Sequence, residues 1–300
     1  AGDLPISIIS VKSLIKFLSK KILFKHNVEF YEKKFVEKNI SCYSIRFPNN
    51  LDRNVREFPS KIFKNIFDSY FISLKIEEKL INKKFGRQNI YPIGFPKLDI
   101  NTDKKKLKKS LIKEFKLDKK KKIIFYLPTL TSAQSKSLLE KIILDLKKLG
   151  LKYNIVVRLH PKDKDANKIK YNLFKKSKLK LDLQDGRDTS ELINTSDYII
   201  TDGGSTVLET IYLKKKILIH NWKKFIDNKK LENRLTDKMR LDNILASKLI
   251  NFENFKNLPD YLKKANNRNY SKKIVNLRNQ IFFQSKKINI ILKLNNYLND

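Results

Sequence analysis

Cysteine and histidine are scarce in this chain, which has one cysteine, Cys42, and three histidines among its 300 residues. A single cysteine excludes an internal disulfide and any cysteine cluster around a metal ion. The histidines, His26, His160 and His220, are widely separated and show none of the ligand spacings of a zinc site. We therefore expect no metal ion and no cofactor.

Long apolar runs are also missing. No segment approaches the roughly 18 consecutive apolar residues that a membrane span needs. The first ten residues lack the charged and then strongly apolar regions of a secretory signal. Hydrophobic residues nevertheless make up 41% of the chain, enough to build a packed core. These features predict a globular, cytoplasmic protein.

Acidic residues are few: 31 Asp and Glu stand against 66 Lys and Arg, a formal net charge of +35. Such a charge suggests nucleic acid, but phosphate and base recognition usually uses arginine, and only ten basic residues are arginine. No zinc finger or helix-turn-helix pattern is present, so nucleic acid is disfavoured as a partner. Lysines favour an anionic membrane surface, which would place the protein peripherally at its inner face. The alternative is a solvated lysine-rich surface.

Glycine is rare, with seven residues, yet two stand together at Gly203 and Gly204. They follow the apolar run Tyr198–Thr201 and precede apolar residues at helical spacing. A strand, a glycine turn and a helix start form an arrangement that can hold a phosphate, because the first helical N–H groups are unpaired and glycine permits close approach. A plain β–α turn is the alternative interpretation.

Apolar segments alternate with helical ones along the rest of the chain, which predicts an α/β fold with parallel sheets. A short, irregular amino-terminal lobe is predicted at residues 1–100, and a carboxyl-terminal lobe at 101–300. The basic helical connector Asn101–Lys122 would contain the boundary. Five strands are predicted in the second lobe: Ile123–Leu127, Ile155–Leu159, Leu179–Leu183, Tyr198–Thr201 and Ile217–His220.

Four segments in order resemble the carboxyl half of GT-B glycosyltransferases. These are Gly94–Asp99 (GFPKLD), Lys121–Leu130 ending in Pro-Thr, Tyr153–Pro161 ending in Arg-x-His-Pro, and Thr195–Asn221. The group they resemble contains CDP-glycerol glycerophosphotransferase-like and capsule-polysaccharide enzymes. The resemblance implies a GT-B-like fold of two Rossmann-like lobes with a cleft between them.

The resemblance also implies site residues. His160, the histidine of Arg-x-His-Pro, would face the donor phosphates as the catalytic residue, and Arg158 would either clamp phosphate or pair with a carboxylate. The loop Gly203, Gly204, Ser205 and Thr206 would hold the diphosphate in place of a metal ion. Glu209, one turn into the helix, would bind the ribose hydroxyls unless it pairs with Lys214 or Lys215.

Three other positions complete these expectations. Pro128 and Thr129 end a strand at the same edge, and Thr129 could donate to a phosphate or nucleoside. Asp202 is expected to cap the glycine turn and not to touch ligand. His220 ends the last predicted strand but matches no motif.

The implied activity is transfer of a sugar or polyol phosphate from a nucleotide-activated donor to a glycan, lipid-linked or teichoic-acid-like acceptor. The amino-terminal His-Gly pair that supplies the base in this group is absent. The base could instead be an acid such as Glu29, Glu32 or Asp52. Two alternatives remain open: a relative of UDP-N-acetylglucosamine 2-epimerase, and a basic scaffold or nucleic-acid-binding protein.

Overall fold

The structure is a computed structural model, and it describes residues 45–46, 69–86, 88–99, 103–130, 134–184, 186–222 and 240–283. The sequence pattern also predicts a strand at Ile6–Ser10 and helices at Val11–Phe24 and Ile288–Leu298. These segments lie outside the described residues, as do His26, Glu29, Glu32 and Asp52. None of the described helices is both long and apolar enough to cross a membrane.

Two parallel sheets organise the described residues. The smaller sheet has strands β1 (Ile45–Arg46), β2 (Ser69–Ile72) and β3 (Asn89–Pro92), side by side in that order. The larger sheet contains six strands: β4 (Ile123–Tyr126), β5 (Asn154–Val157), β6 (Lys180–Leu181), β7 (Tyr198–Thr201), β8 (Ile217–His220) and β9 (Ile250–Phe252). Their spatial order is β6-β5-β4-β7-β8-β9, and every neighbouring pair is parallel.

Helices connect these strands. Helix α1 (Lys75–Phe85) follows β2, and α2 (Pro96–Asp99) and α3 (Lys104–Glu114) lie between the sheets in sequence. The larger sheet is interleaved with α4 (Lys136–Gly150), α5 (Asp163–Ala166), α6 (Lys168–Lys176), α7 (Thr189–Thr195) and α8 (Ser205–Tyr212). Helices α9 (Leu241–Ser247), α10 (Leu258–Asn266) and α11 (Arg268–Ile281) complete the described part.

The core surrounds the larger sheet, because β4, β5, β7 and β8 are buried along their whole length. Continuous apolar strands of this kind are typical of parallel sheets covered on both faces. Helix α8 adds Val207, Leu208 and Ile211, all fully buried, on one stripe. This apolar stripe fixes the rotation of α8 about its axis, and the short turn at residues 202–204 holds its amino end at the carboxyl edge of β7.

The carboxyl-terminal helices reach back to the smaller sheet. Leu74, just after β2, forms an isolated antiparallel bridge with Phe282, and the Lys75 Nζ donates to the Asn279 carbonyl at 2.7 Å. The predicted strands of the second lobe are confirmed to within two residues at each end. The strand β9 was not predicted. The division into two lobes, with its boundary in the connector Asn101–Lys122, stays a prediction.

Candidate functional site

The centre of the larger sheet is a topological switch point. From β4 the chain continues through β5 to β6 on one side, and β7 continues through β8 to β9 on the other. Connections therefore leave the carboxyl ends of the neighbouring strands β4 and β7 in opposite directions, which opens a crevice there. Open α/β sheets bind their ligands in this crevice.

Thr129, after β4, and Asp202, after β7, border the crevice and are directly bonded. The Thr129 N–H donates to Asp202 Oδ1 at 2.7 Å, and the Trp222 indole N–H donates to Asp202 Oδ2 at 2.6 Å. Asp202 is buried, with 2% of its surface exposed. Both carboxylate oxygens therefore hold the loops after β4 and β8, and not the glycine turn that Asp202 was expected to cap. The Gly203 N–H of that turn donates to Thr201 Oγ1 at 3.4 Å instead.

The glycine loop adopts backbone geometry that other residues rarely take. Gly203 has φ 144° and Gly204 has φ 80°, and Gly204 is the residue before the first turn of α8. A β-branched residue at such a φ costs about 1–3 kcal/mol. Glycine is therefore required here by the turn itself.

Asp242 accepts from one backbone N–H of this loop. The Gly204 N–H donates to Asp242 Oδ2 at 2.9 Å, and Asp242 is 1% exposed. Arg240 approaches the same carboxylate with two nitrogens, Nε to Oδ1 at 3.1 Å and Nη2 to Oδ2 at 2.8 Å. The side chain of Arg240 keeps 33% of its surface exposed. A carboxylate from α9 thus satisfies the loop, and a guanidinium lies beside it.

His160 follows β5 at the same edge and is half-buried. Its main-chain N–H donates to Asp163 Oδ2 at 2.9 Å, and its ring Nδ1 accepts from the Lys162 N–H at 3.2 Å. Since Nδ1 acts as an acceptor, the neutral imidazole carries its proton on Nε2. The turn therefore defines one tautomer.

Arg158 is engaged in a buried cluster. Its Nη1 donates to Asp182 Oδ2 at 2.8 Å and its Nη2 to the Arg187 carbonyl at 2.6 Å. Arg187 in turn pairs with Asp182 and Glu114. The pairing with a carboxylate is the second of the two roles expected for Arg158, and a contact with donor phosphate stays a prediction.

A second histidine lies under the same edge. His220 is 1% exposed and is packed against the rings of Tyr126, Phe252 and Phe255. Burial lowers the pKa of its imidazole to about 4, although the Asp202 carboxylate opposes this shift. His220 also lines a cavity of about 290 Å³ beside the start of α4. This histidine is therefore a neutral core residue at ordinary pH.

The segment Gly94–Asp99 is tied to α8 through Tyr212. The Tyr212 hydroxyl donates to the Asp99 carboxylate at 2.6–2.7 Å and accepts from the Phe95 N–H at 3.0 Å. The segments Gly94–Asp99 and Thr195–Asn221, two of the four on which the resemblance depends, are thus joined by contacts of the Tyr212 side chain.

Residues 54–287 match the family described as CDP-glycerol:poly(glycerophosphate) glycerophosphotransferase. The chain belongs to this family. The match covers the glycine loop, the Arg-x-His-Pro turn, the larger sheet, and strands β2 and β3 of the smaller one. No curated protein sequence matches the chain significantly.

The family's fold appears in the wall teichoic acid polymerase TagF. One structure of TagF is 21% identical, with a TM-score of 0.54 over 70% of this chain and 52% of TagF. A structure of a TagF variant gives a TM-score of 0.55 at 20% identity, over 80% of this chain and 62% of the other. A UDP-GlcNAc 2-epimerase from Neisseria meningitidis is 14% identical over 75% of this chain and 63% of its own, with a TM-score of 0.47.

The matches to the TagF structures confirm the GT-B-like α/β fold that the sequence predicted. The chain spans about half the length of the TagF structure it matches. The family's description names CDP-glycerol, which is a nucleotide-activated compound of the kind predicted as donor.

The structure brings most of the predicted residues to one edge. Pro128, Thr129, Arg158, His160 and the loop at 203–206 all follow the carboxyl ends of β4, β5 and β7. Pro128 is buried, whereas Ser205 and Thr206 are partly exposed. Their individual roles stay predictions.

Glu209 is partly exposed on α8, one turn after Ser205. Lys215, one of its two suggested partners, donates to the carbonyls of Asn194 and Ser196 at 2.6 and 3.2 Å. The contact of Glu209 with ribose stays a prediction.

Sequence reasoning missed four polar residues of this edge: Asp163, Lys170, Arg240 and Asp242. The sequence could have indicated Asp163, because an aspartate three residues after His160 can accept a hydrogen bond from the main-chain N–H of that residue. No sequence pattern distinguishes Lys170 from the many other lysines of the chain. Arg240 and Asp242 lie more than 30 residues beyond the glycine loop, so only tertiary structure joins them to it.

Proposed function

We propose that this chain transfers glycerol phosphate from CDP-glycerol to a growing glycerol phosphate polymer of the cell envelope. The observation that carries the proposal is the family match over residues 54–287, which contains the whole switch-point site. A capsule-like polymer is the alternative acceptor within the same chemistry.

The reaction joins an acceptor hydroxyl to the phosphorus that carries the glycerol. The hydroxyl oxygen forms a new P–O bond, and the P–O bond between this phosphorus and CMP breaks. CMP leaves with the bridging oxygen, and the hydroxyl proton passes to a base. Charge develops mainly on the leaving phosphate, so donors aimed at it accelerate the step.

His160 is the residue proposed to meet this charge. Its Nδ1 is occupied by the Lys162 N–H, so the Nε2 proton is the one that can be donated to a phosphate oxygen. The histidine follows β5, the strand next to β4, at the switch-point edge. This placement supports a hydrogen bond that strengthens as CMP departs.

The start of α8 is proposed to bind the donor diphosphate. Asp242 already accepts from the Gly204 N–H, so the remaining donors are the N–H and hydroxyl groups of Ser205 and Thr206. The positive end of the helix dipole adds to them. Arg240, fixed by Asp242 and one-third exposed, supplies a guanidinium beside this loop.

Glu209 and Thr129 are proposed to complete the nucleotide site. The Glu209 carboxylate lies one turn into α8 and would accept from ribose hydroxyls. Thr129 is held by Asp202, and its partly exposed side chain can donate to phosphate or nucleoside. The base is assigned to no described residue, and its candidates Glu29, Glu32 and Asp52 belong to residues 1–68.

The membrane is proposed as a docking surface for this reaction. A net charge of +35 attracts an anionic bilayer, and a lipid-linked acceptor would be presented there. This places the protein peripherally at the inner face of the membrane.

The proposal is tested by measuring CMP release from CDP-glycerol with an oligo(glycerol phosphate) primer. We expect CMP and a primer extended by one or more units, detected by ³¹P NMR and mass spectrometry. A thermal-shift series with CDP-glycerol, a UDP-sugar, a GDP-sugar and a CMP-sugar should single out CDP-glycerol. Stabilisation by UDP-N-acetylglucosamine with epimer formation, and no CMP release, would overturn the proposal in favour of an epimerase.

A further inference from the structure

A buried ion pair lies directly beneath the proposed phosphate site. Lys170 Nζ lies 3.1 Å from Asp163 Oδ2, and both side chains have 0% of their surface exposed. Asp163 belongs to α5 and Lys170 to α6, the two helices that follow β5. A lysine buried this completely is exceptional.

Each member of the pair also holds a main-chain group of the site. Asp163 Oδ2 accepts from the His160 N–H at 2.9 Å. Lys170 Nζ donates to the Thr129 carbonyl at 2.8 Å. The pair therefore links the residue after β5 that carries the proposed catalytic imidazole to the residue after β4 that borders the crevice.

The link continues through Thr129 to two further strands. The Thr129 N–H donates to Asp202 after β7, and Asp202 accepts from Trp222 after β8. A continuous polar chain thus runs under the carboxyl ends of four adjacent strands. Because it fixes both the N–H and the carbonyl of Thr129, it sets the spacing of the loops on either side of the crevice.

A contribution to the stability of the fold does not by itself explain this buried ion pair. Burial raises the pKa of the Asp163 carboxyl, although the Lys170 ammonium lowers it in part. Asp163 Oδ1 is buried and has no hydrogen-bond partner among the described residues. Buried pairs with such uncompensated desolvation are often no more stable than apolar replacements of similar volume.

We infer that Asp163 and Lys170 are positioning residues, which hold the His160 imidazole and Thr129 at the spacing that the transferred phosphate requires. The expected effect on kcat rests on the proposed function, whereas the contacts that position His160 and Thr129 are seen in the described residues. Asp163 closes the turn that presents the imidazole, and Lys170 connects this turn to the loop across the crevice.

The test replaces the pair without leaving a buried charge. The variant D163L/K170M removes both tethers with apolar side chains, and D163N/K170Q keeps an acceptor for the His160 N–H and a donor for the Thr129 carbonyl. The matched control is Lys215→Met, which removes a lysine that bridges two main-chain carbonyls near the start of β8. Lys215 lies at the opposite edge of the sheet from the site.

Two readouts are used. In the CDP-glycerol assay, D163L/K170M should lower kcat about 10- to 100-fold with KM changed less than about threefold, because misplacement costs transition-state contacts. D163N/K170Q should recover at least half of the loss in kcat on a logarithmic scale. The kcat of the Lys215→Met control should stay within about twofold of wild type after correction for the folded fraction.

The second readout is the ¹⁵N spectrum of the imidazole, which is independent of turnover. Three histidines make assignment of His160 simple, by loss of its signal in His160→Gln. The wild type and the Lys215 control should show the Nε2–H tautomer, and D163L/K170M should show a mixture. An unchanged tautomer and unchanged kcat in the folded apolar variant would overturn the inference.

The outcomes separate the two proposals. If wild type releases no CMP from CDP-glycerol, the proposed function fails and the imidazole spectrum alone decides the positioning. If D163L/K170M does not fold, D163N/K170M replaces it: this variant keeps the acceptor for the His160 N–H but loses the tether to Thr129. A kcat equal to that of D163N/K170Q would then refute the role of Lys170.

Discussion

The Asp242 carboxylate accepts a hydrogen bond from the Gly204 N–H at 2.9 Å, at the start of the helix that follows the switch-point strand. An acidic side chain thus occupies part of a site whose geometry favours anions. It also holds Arg240 through two nitrogens. The helix start is therefore preorganised by the protein's own carboxylate before any phosphate arrives.

Asp242→Ala should lower the free energy of unfolding by about 2–4 kcal/mol, because it leaves the buried Gly204 N–H and the Arg240 guanidinium without their acceptor. Urea unfolding measures this change. Asp260→Ala is the control: its ion pair with Lys263 is exposed at both ends, and its effect should stay below about 0.5 kcal/mol. Equal effects of the two substitutions would contradict the proposed preorganisation.

His160→Ala should reduce turnover more than binding. Its hydrogen bond gains strength as charge builds on the leaving phosphate, so we expect kcat to fall about 100- to 1000-fold while KM changes little. Steady-state kinetics with CDP-glycerol gives both constants. Lys164→Ala, on the neighbouring exposed surface, should behave as wild type. A rise in KM with unchanged kcat would instead assign His160 to ground-state binding.

Glu209→Ala should chiefly weaken donor binding. A ribose contact is the same in the ground and transition states, so KM should rise about tenfold with kcat nearly constant. Binding of CMP, measured by calorimetry, should weaken in parallel, since CMP carries the same ribose. The exposed Glu140→Ala serves as the control for removal of one negative charge. Unchanged CMP affinity in Glu209→Ala would remove this residue from the site.

His220 should make the protein sensitive to mild acid. Its pKa in the folded state is about 4, below the ordinary value of 6.5. As the pH falls from 6.5 towards 4, only the unfolded chain binds the proton, so stability is lost at up to about 1.4 kcal/mol per pH unit. The stabilising contribution is complete above pH 6.5.

His220→Phe should flatten this part of the pH profile, because phenylalanine can pack among Tyr126, Phe252 and Phe255 without titrating. The measurement is urea unfolding at several pH values between 7 and 4.5. His160→Gln controls for loss of a half-buried histidine and should keep the wild-type slope. Parallel profiles for His220→Phe and wild type would show that another group carries the acid sensitivity.

The net charge of +35 should give salt-dependent attachment to anionic lipid. We expect cosedimentation with phosphatidylglycerol vesicles, little with neutral phosphatidylcholine vesicles, and a steep decrease between about 0.05 and 0.5 M salt as the charges are screened. Equal binding to both vesicles, or none, would identify the lysines as a solvated surface. Retention on DNA at physiological salt, with no nucleotide binding, would favour the nucleic-acid alternative.

Local sequence patterns predicted five of the six strands described in the larger sheet. The strands β4, β7 and β8 are short apolar runs between polar segments, and such runs have few other ways to bury their side chains. The glycine pair predicted a turn between a strand and a helix, because glycine permits close approach of the backbone. The parallel arrangement then placed His160, Thr129 and the glycine loop at one edge, since all of them follow carboxyl ends of strands.

Tertiary structure alone decided which partners those residues have. Arg158 was assigned to phosphate or a carboxylate with equal justification, and the fold pairs it with Asp182. The strand β9 is only three residues long and gives too little periodicity to be recognised.

Lys170 looks like any other lysine in a chain with 66 basic residues, yet it is completely buried against Asp163 and Thr129. Burial and pairing depend on which distant segments pack together. The sequence determines the order of elements and the kinds of side chain at their ends, because these depend on neighbours along the chain. Three contacts of the polar chain beneath the site join residues that are 20 to 73 positions apart, and only the folded structure specifies them.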